Sequence, residues 1–261
     1  MRPPPEYVPA HALLRDKTVL VTAAAGAGIG FAAAKRCAEE NCRALVISDT
    51  HERRLAEAVA AIRKETGLEA VYGQLCDISQ EEQVQGLFEF AAARLGGVDV
   101  LINNAGLGTS KSIVEMQDEE WAKVIDVTLT GTFRMIRAAL KVMRPRGRGV
   151  IVNNASVLGW RAQAEQAHYA AAKAGVMALT RCAAIEAAEF GIRVNAVAPS
   201  IAIHAFLRKS ASDELLSQLV AREAFGRGAE PWEVANVMVF LASDYSSYMT
   251  GEVVSVSSQR A

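Results

Sequence analysis

Tyr169 and Lys173 stand four residues apart in the stretch HYAAAKAG, and Ser156 precedes the tyrosine by thirteen positions. Residues i and i+4 share a face of a helix, so the ammonium of Lys173 can lie beneath the phenol of Tyr169 and favour its ionised form. A phenol has a pKa of about 10 in water and serves as a base near neutral pH only where positive charge stabilises the phenolate. Ser156 closes an apolar run, GVIVNNAS, that reads as a buried strand. Such a strand delivers the hydroxyl to its carboxyl end, where open α/β sheets keep their ligand crevice. Three side chains then converge on one substrate oxygen and can move a proton on or off it. Surface neighbours on a helix show the same spacing, so the surrounding elements decide between the two readings.

Near the start, KTVLVT reads as a short β-branched strand running into AAAGAGIGFAAAKRCAEE, a glycine-rich turn that opens an alanine-rich helix. Gly26, Gly28 and Gly30 let the backbone approach a pyrophosphate and present amide groups at a helix N-terminus. A glycine pattern alone also fits an ordinary flexible turn; its place between strand and helix favours the phosphate cradle. The next strand, CRALVISD, ends in Asp49, nineteen residues after Gly30. A dinucleotide-binding unit places there the carboxylate that bonds the adenosine ribose. That charge repels a 2′-phosphate, which favours NAD over NADP. Arg53 and Arg54 can meet such a phosphate, but HERRLAEAVAAIRKE reads as a helix whose exposed face carries those charges anyway.

Further along come CD at Cys76 and Asp77, NNAG at Asn103 to Gly106 and RVNAVAP at Arg193 to Pro199. Together with the glycine turn and the Ser156, Tyr169, Lys173 set, these motifs resemble in order and spacing the short-chain dehydrogenase/reductase family, from about Lys17 to Val256. The resemblance implies reversible hydride transfer between a secondary alcohol and a nicotinamide cofactor. Tyr169 would remove the hydroxyl proton, Ser156 would hold the oxygen, and Lys173 would bind the nicotinamide ribose while depressing the tyrosine pKa. The implied cofactor site begins with Thr22, Gly26, Gly28, Ile29, Gly30 and Asp49. Asp77 and Ile78 would follow at the adenine, Asn104, Ala105 and Gly106 beside the central sheet, and Pro199 and Ile201 at the nicotinamide. NAD preference favours the oxidative direction, because intracellular NAD pools are mostly oxidised. The family is commonly tetrameric through pairing that includes the Tyr169 helix, so a homotetramer or homodimer is expected.

Departures from the family pattern are as informative. TAAAGAGIG has alanine at the usual first glycine and one extra residue, Ser200 replaces the glycine after the proline, and His204 stands where a threonine often binds the carboxamide. The chain ends in SVSSQRA without the common VDGG. In VIDVTLTGTF, Thr128 occupies the place of the family's fourth catalytic residue, an asparagine. Its hydroxyl is expected to replace the amide's structural bonding to the neighbouring backbone. VTAAAGAGIG, VIVNNASVLGWRAQ, HYAAAKAGVMALTRC and EVVSVSSQRA are similar to dehydrogenases of bacterial steroid-ring breakdown, which act on a hydroxylated, ring-bearing acyl-CoA. Two alternatives stay open: a 3-oxoacyl-thioester (ACP or CoA) reductase using NADPH, and a non-catalytic NAD-binding sensor or scaffold. Thr128 and the altered turn motivate the second; the intact Ser156, Tyr169 and Lys173 set argues against it.

The elements that must position these groups alternate. Strands are predicted near 18–22, 43–48, 69–74, 98–102, 149–154, 192–197 and 252–256, with helices between, giving an α/β, doubly wound (Rossmann) parallel sheet of about seven strands with helices on both faces. Ser79 with Glu82 forms a capping-box signature, and Pro231 suits a helix's first turn. Residues 1–16, rich in proline, form an extension laid on the surface, and 17–261 form one dinucleotide-binding and catalytic domain. The alternation breaks at about 201–229, the natural lid. Phe206 and Leu207 can line its apolar pocket, and Arg208 and Lys209 can meet coenzyme A phosphates or simply face solvent. Trp160, Arg161 and Gln163 form the other wall. His168 adjoins the tyrosine but is disfavoured as a proton carrier, and His11 and His51 read as surface residues.

With 261 residues, 51% hydrophobic content and a formal net charge of −1, the chain can bury a large core and has no electrostatic bias toward nucleic acid or anionic membrane. Cys37, Cys42, Cys76 and Cys182 form no metal-type spacing, and Cys37 and Cys182 read as small buried thiols within helices. Neither a signal peptide nor a membrane span is recognisable, and a cytoplasmic location is expected.

Overall fold

The computed structural model describes residues 3–204, 207 and 213–259. Five residues from Thr18 to Thr22, three aliphatic between two threonines, make strand β1, every one of them buried. Burial on both faces of a strand is the mark of a central parallel strand. Around it lie β2 (Ala44–Asp49), β3 (Val71–Leu75), β4 (Val100–Asn103), β5 (Gly149–Asn154), β6 (Ile192–Pro199) and β7 (Val253–Val256). They form one seven-stranded sheet in the order β3-β2-β1-β4-β5-β6-β7. Val19 pairs with Leu45 on one side and Val100 on the other, and all pairings are parallel. The predicted strands lie within two residues of these bounds at either end.

Successive side chains on a strand point to opposite faces. Val19, Val21 and Ile47 therefore face one hydrophobic layer, while Leu20, Val46 and Ile151 face the other. The first is covered by α1 (Ile29–Glu39), α2 (Glu52–Thr66) and α8 (Pro231–Ala242). The second is covered by α3 (Glu81–Leu95), α5 (Gly131–Met143) and α6 (Ala167–Ala188). A short α4 (Asp118–Ile125) precedes α5, and α7 (Asp213–Ala221) lies in the predicted lid. The sheet order reverses between β1 and β4, so their carboxyl ends diverge and open the crevice in which such folds bind ligands.

Pro231 does occupy the first turn of α8, where Glu230 and Glu233 form a reciprocal capping box. Ser79 does not cap α3, contrary to expectation. Gln80 is the cap residue, and the Ser79 hydroxyl instead donates to Asp77 at 2.7 Å. Cys182 is likewise exposed rather than buried, because it lies on the outer face of α6. The N-terminal extension runs over α1 and α8 and is tied down by a buried ion pair. Arg36 donates to the Val8 and Pro9 carbonyls and to Glu40, whose carboxylate accepts from the His11 and Leu13 amides at 2.8 and 2.9 Å. Tyr7 packs edge-on against Trp232, with its hydroxyl on Glu39.

Candidate active site

β5 ends in Asn154 and the chain turns sharply, so that Ser156 starts a short 3-10 turn with its Oγ accepting from Leu158 N at 3.2 Å. The next long element, α6, brings Tyr169 and Lys173 to the same end of the sheet. Lys173 is only 3% exposed. Its Nζ donates to the Asn154 main-chain oxygen and lies 5.5 Å from the centroid of the Tyr169 ring. Burial draws its pKa down to about 8. Burial also pushes the Tyr169 phenol up to about 12, against a smaller downward pull from its hydrogen bond with Ser156. This corrects the expectation that Lys173 depresses the phenol. Desolvation is the larger cause and the Ser156 hydrogen bond the smaller, while the Lys173 Nζ is turned to a main-chain carbonyl. A phenol at about 12 is protonated at neutral pH.

The glycine turn lies at the end of β1. Thr22 Oγ1 accepts from the amides of both Asn104 and Ala105 at 3.0 Å, joining the ends of β1 and β4. Asn104 Nδ2 donates to Ala23 O at 3.1 Å, and Asn154 Nδ2 donates to Asn104 Oδ1 at 3.0 Å. A Cβ on Gly30 would fall 2.2 Å from Ala23 O, so only glycine permits this approach of turn and helix. Gly26 has φ of +125°, and Gly28 caps α1 without a side-chain bond to the first turn. Those leading amides remain available to an anion.

Asp49 closes β2, accepting from Ala25 N at 3.1 Å and His51 N at 3.2 Å. It lines a groove of about 250 Å³ with Ala23, Asp77, Ile78, Ala105 and Gly106. Arg53 pairs with Glu57 and is largely exposed, in line with a solvated helix face. Asp77 turns its carboxylate onto Ser79 N at 2.9 Å. Pro199 ends β6, and Ile201 O accepts from Ala229 N at 2.9 Å, bringing together the two ends of the segment predicted as a lid. Leu207 N donates to His204 Nδ1 at 3.3 Å. Phe206, Arg208 and Lys209 lie outside the described residues. Trp160 is 51% exposed just beyond Ser156 and Gln163 is half-buried, while Arg161 reaches Gln259 in the C-terminal tail at 2.7 Å.

Thr128 is fully buried in a π-helical turn between α4 and α5, from Asp126 to Thr130. Its Oγ1 accepts from Leu107 N at 2.9 Å and donates to Leu107 O at 3.0 Å. The sequence reading passed over Asn154, whose main chain holds Lys173 and whose side chain reaches Asn104. A signal was present: an Asn-Asn pair falls at the end of both apolar strands, Asn103 closing β4 with Asn104 next and Asn153 and Asn154 closing β5, and asparagine is depleted in strands. One layer down, Asn103 Nδ2 donates to Asn153 Oδ1 at 2.9 Å and Asn153 Nδ2 to Thr180 Oγ1 at 2.9 Å.

A family model described as Enoyl-(Acyl carrier protein) reductase matches residues 23–258. A Mycobacterium tuberculosis protein, (5R,7aS)-5-hydroxy-7a-methyl-1-oxo-2,3,5,6,7,7a-hexahydro-1H-indene-carboxyl-CoA reductase, is 60% identical over 257 residues, covering 98% of this chain and 97% of that one. The chain belongs to the short-chain dehydrogenase/reductase family. A 3-oxoacyl-[acyl-carrier-protein] reductase of Vibrio cholerae is 35% identical over 243 residues, with 93% and 96% of the two chains covered. The crystal structure of a short chain dehydrogenase from Mycobacterium smegmatis superposes with a TM-score of 0.87 at 55% identity, covering 98% of each chain.

Membership makes the protein an oxidoreductase of CH–OH and C=O groups that works with NAD(P). The residues present fit that cofactor: a turn that excludes any Cβ at Gly30, free amides at the start of α1, and a carboxylate-edged groove beyond β2. Among the described residues no helix is long and apolar enough to cross a membrane.

Proposed function

We propose that the protein interconverts a hydroxyl and a ketone on a hydroxylated, ring-bearing acyl-CoA of steroid-ring breakdown, with NAD as its cofactor. The observation that carries this reading is the convergence of Ser156, Tyr169 and Lys173 at the carboxyl end of the sheet, beside the glycine turn. The ring-bearing thioester is supported by the 60% identical relative, named for an indene-carboxyl-CoA, against 35% for the 3-oxoacyl-[acyl-carrier-protein] reductase. NAD is supported by Asp49, whose carboxylate edges the groove that would hold the adenosine ribose and opposes a 2′-phosphate there.

In the reducing direction the Tyr169 phenol gives its proton to the substrate oxygen as the hydride reaches carbon, and Ser156 holds that oxygen. Lys173 sits deep enough to meet a ribose hydroxyl with the Nζ hydrogens that Asn154 does not use. When bound, the reduced cofactor would supply the hydride for ketone reduction, and the oxidised cofactor would accept it in alcohol oxidation. The protonated phenol suits reduction at neutral pH, whereas NAD preference alone favours oxidation. The same residues serve both, with Tyr169 as acid one way and base the other.

The test is a spectrophotometric assay with the hydroxy-methyl-oxo-hexahydroindene carboxyl-CoA and its ketone, each with NAD(H) and NADP(H). Turnover is expected with the NAD pair. Tyr169→Phe should lower turnover at least a hundredfold and leave NADH affinity within twofold, since only the proton carrier is lost. Asp49→Ala should narrow the gap to NADP. Activity confined to 3-oxoacyl thioesters with NADPH would replace this reading, and more than a tenth of wild-type activity in Tyr169→Phe would end the assignment of the proton carrier.

The family's common pairing through α6 further supports a homotetramer or homodimer, because α5 and α6 together leave a groove of about 360 Å³ whose aromatic and aliphatic side chains are interspersed with Arg137, Lys141, Arg144 and Glu186.

A further inference from the structure

One buried imidazole beside the catalytic tyrosine has no part in the chemistry above. His168 is completely buried at the start of α6. Its Nε2 lies 2.8 Å from Thr109 Oγ1, and its Nδ1 is buried without a hydrogen-bond partner. Among the described residues its one side-chain polar contact is therefore with the loop that follows the Asn-Asn-Ala-Gly turn. Gln166, one position before the helix, is used the same way. It makes no side-chain cap to α6, and its Nε2 donates instead to Thr109 O and to Ser110 Oγ, both at 3.0 Å. Lys111 N donates to Glu165 O at 3.0 Å. The start of the catalytic helix thus spends its polar groups on holding residues 109–111.

What lies between these ties and the preceding one is the phenol itself. Leu107 is fixed by both bonds to Thr128 Oγ1, and Thr109 by His168. Gly108, between them, lies on the Tyr169 ring. A Cβ there would stand 3.1 Å from Cδ2, 3.3 Å from Cε2 and 3.5 Å from Cγ. The first two distances are tighter than ordinary van der Waals contact, so the glycine backbone sits close against the Tyr169 ring with no room for a side chain. The position of this loop limits where the phenol ring can sit, and with it the distance from the phenol oxygen to Ser156. Proton transfer is sensitive to displacements of about 1 Å.

We propose that His168 is a positioning residue: through Thr109 it clamps the Gly108 backbone onto the Tyr169 ring and so sets the phenol for proton transfer. The inference rests on the reading of Tyr169 as proton carrier. Thr109 is exposed, and Thr109→Val removes the hydroxyl of the clamp with little risk to folding. The experiment compares wild type with Thr109→Val, Thr109→Ser, His168→Phe and Thr109→Val combined with His168→Phe, with Tyr169→Phe alongside. Substrate is the indene-type ketone thioester with NADH; the readouts are kcat, KM for the thioester, NADH affinity by fluorescence, and thermal midpoint.

Thr109→Val should lower kcat five- to tenfold, with thioester KM and NADH affinity within twofold of wild type. Thr109→Ser should return kcat to within twofold. The double variant should be no slower than the worse single, because both changes break one bond. Unchanged kcat in Thr109→Val, a serine variant as slow as valine, or multiplicative losses in the double would each overturn the proposal. If His168→Phe does not fold, the valine and serine pair decides alone. Loss of activity in Tyr169→Phe with none in Thr109→Val rejects the clamp only, whereas an active Tyr169→Phe rejects the reading beneath it.

Discussion

Lys173 shows how a single buried residue answers to two demands. Desolvation lowers its pKa to about 8, from an ordinary value near 10.5, and its Nζ finds one main-chain acceptor. Between these values the unfolded chain binds more protons at this position than the folded one does. The folded protein therefore bears the cost of a buried ammonium below about pH 8 and is relieved of it as pH rises toward 10.5. Lys173→Met, which keeps the length and removes the charge, should follow a different curve. Measured by urea unfolding from pH 7.5 to 10, wild type should gain on the variant above pH 8 at a rate approaching about 1.4 kcal/mol per pH unit. A difference that stays flat across that range would show that the lysine titrates normally. Ser156, Tyr169 and Lys173 were legible in the sequence because residue type and local spacing define them. The state of the phenol was not, since it depends on what covers the ring, and burial by loop and helix is a property of the folded chain alone.

Among the elements, the strands were the most legible, because near-continuous apolar runs such as TVLVT and VLIN have only one use in a sheet covered on both faces. Terminal devices were less so. Ser79 bends its hydroxyl to Asp77 rather than to its helix, and Arg36 and Glu40, which look like an ordinary surface pair one turn apart, are buried to bind the N-terminal extension. The π-helical turn at Asp126–Thr130 carries no signature in composition, yet it places Thr128 against the loop after β4. Thr128→Val preserves shape and strands both Leu107 groups. Turnover should fall less than tenfold, because the adjoining Asn104 and Ala105 amides remain held by Thr22. Stability should fall by about 1 kcal/mol, rising to about 3 if water cannot reach the stranded pair. Turnover and thermal midpoint on the same preparation separate the two effects. A hundredfold loss of turnover at unchanged midpoint would make the hydroxyl a working member of the proton path.

At the scale of the whole molecule, the helix that begins with Tyr169 and Lys173 ends on an open face rich in apolar side chains. Its later residues Leu179 and Ala183, with Phe190 just beyond its end, line the groove together with Phe133, Ile136 and Leu140 of α5, and Arg137, Lys141, Arg144 and Glu186 stand among them. Ile185 is 79% exposed and Phe133 41%. Two such helices make a self-complementary surface, and a second copy turned about a two-fold axis would lay its own α5 and α6 into it. The reaction and the assembly would then share one rigid element, with pairing at one end restraining Tyr169 and Lys173 at the other. Ile185→Glu puts a charge on a side chain that packs on little within its own chain, so the fold should survive while the contact does not. Light scattering after size exclusion should give wild type the mass of a dimer or tetramer and the variant at most half of it, with an unchanged circular dichroism spectrum. A monomeric wild type, or a variant of undiminished mass, would show that this face is not where copies meet.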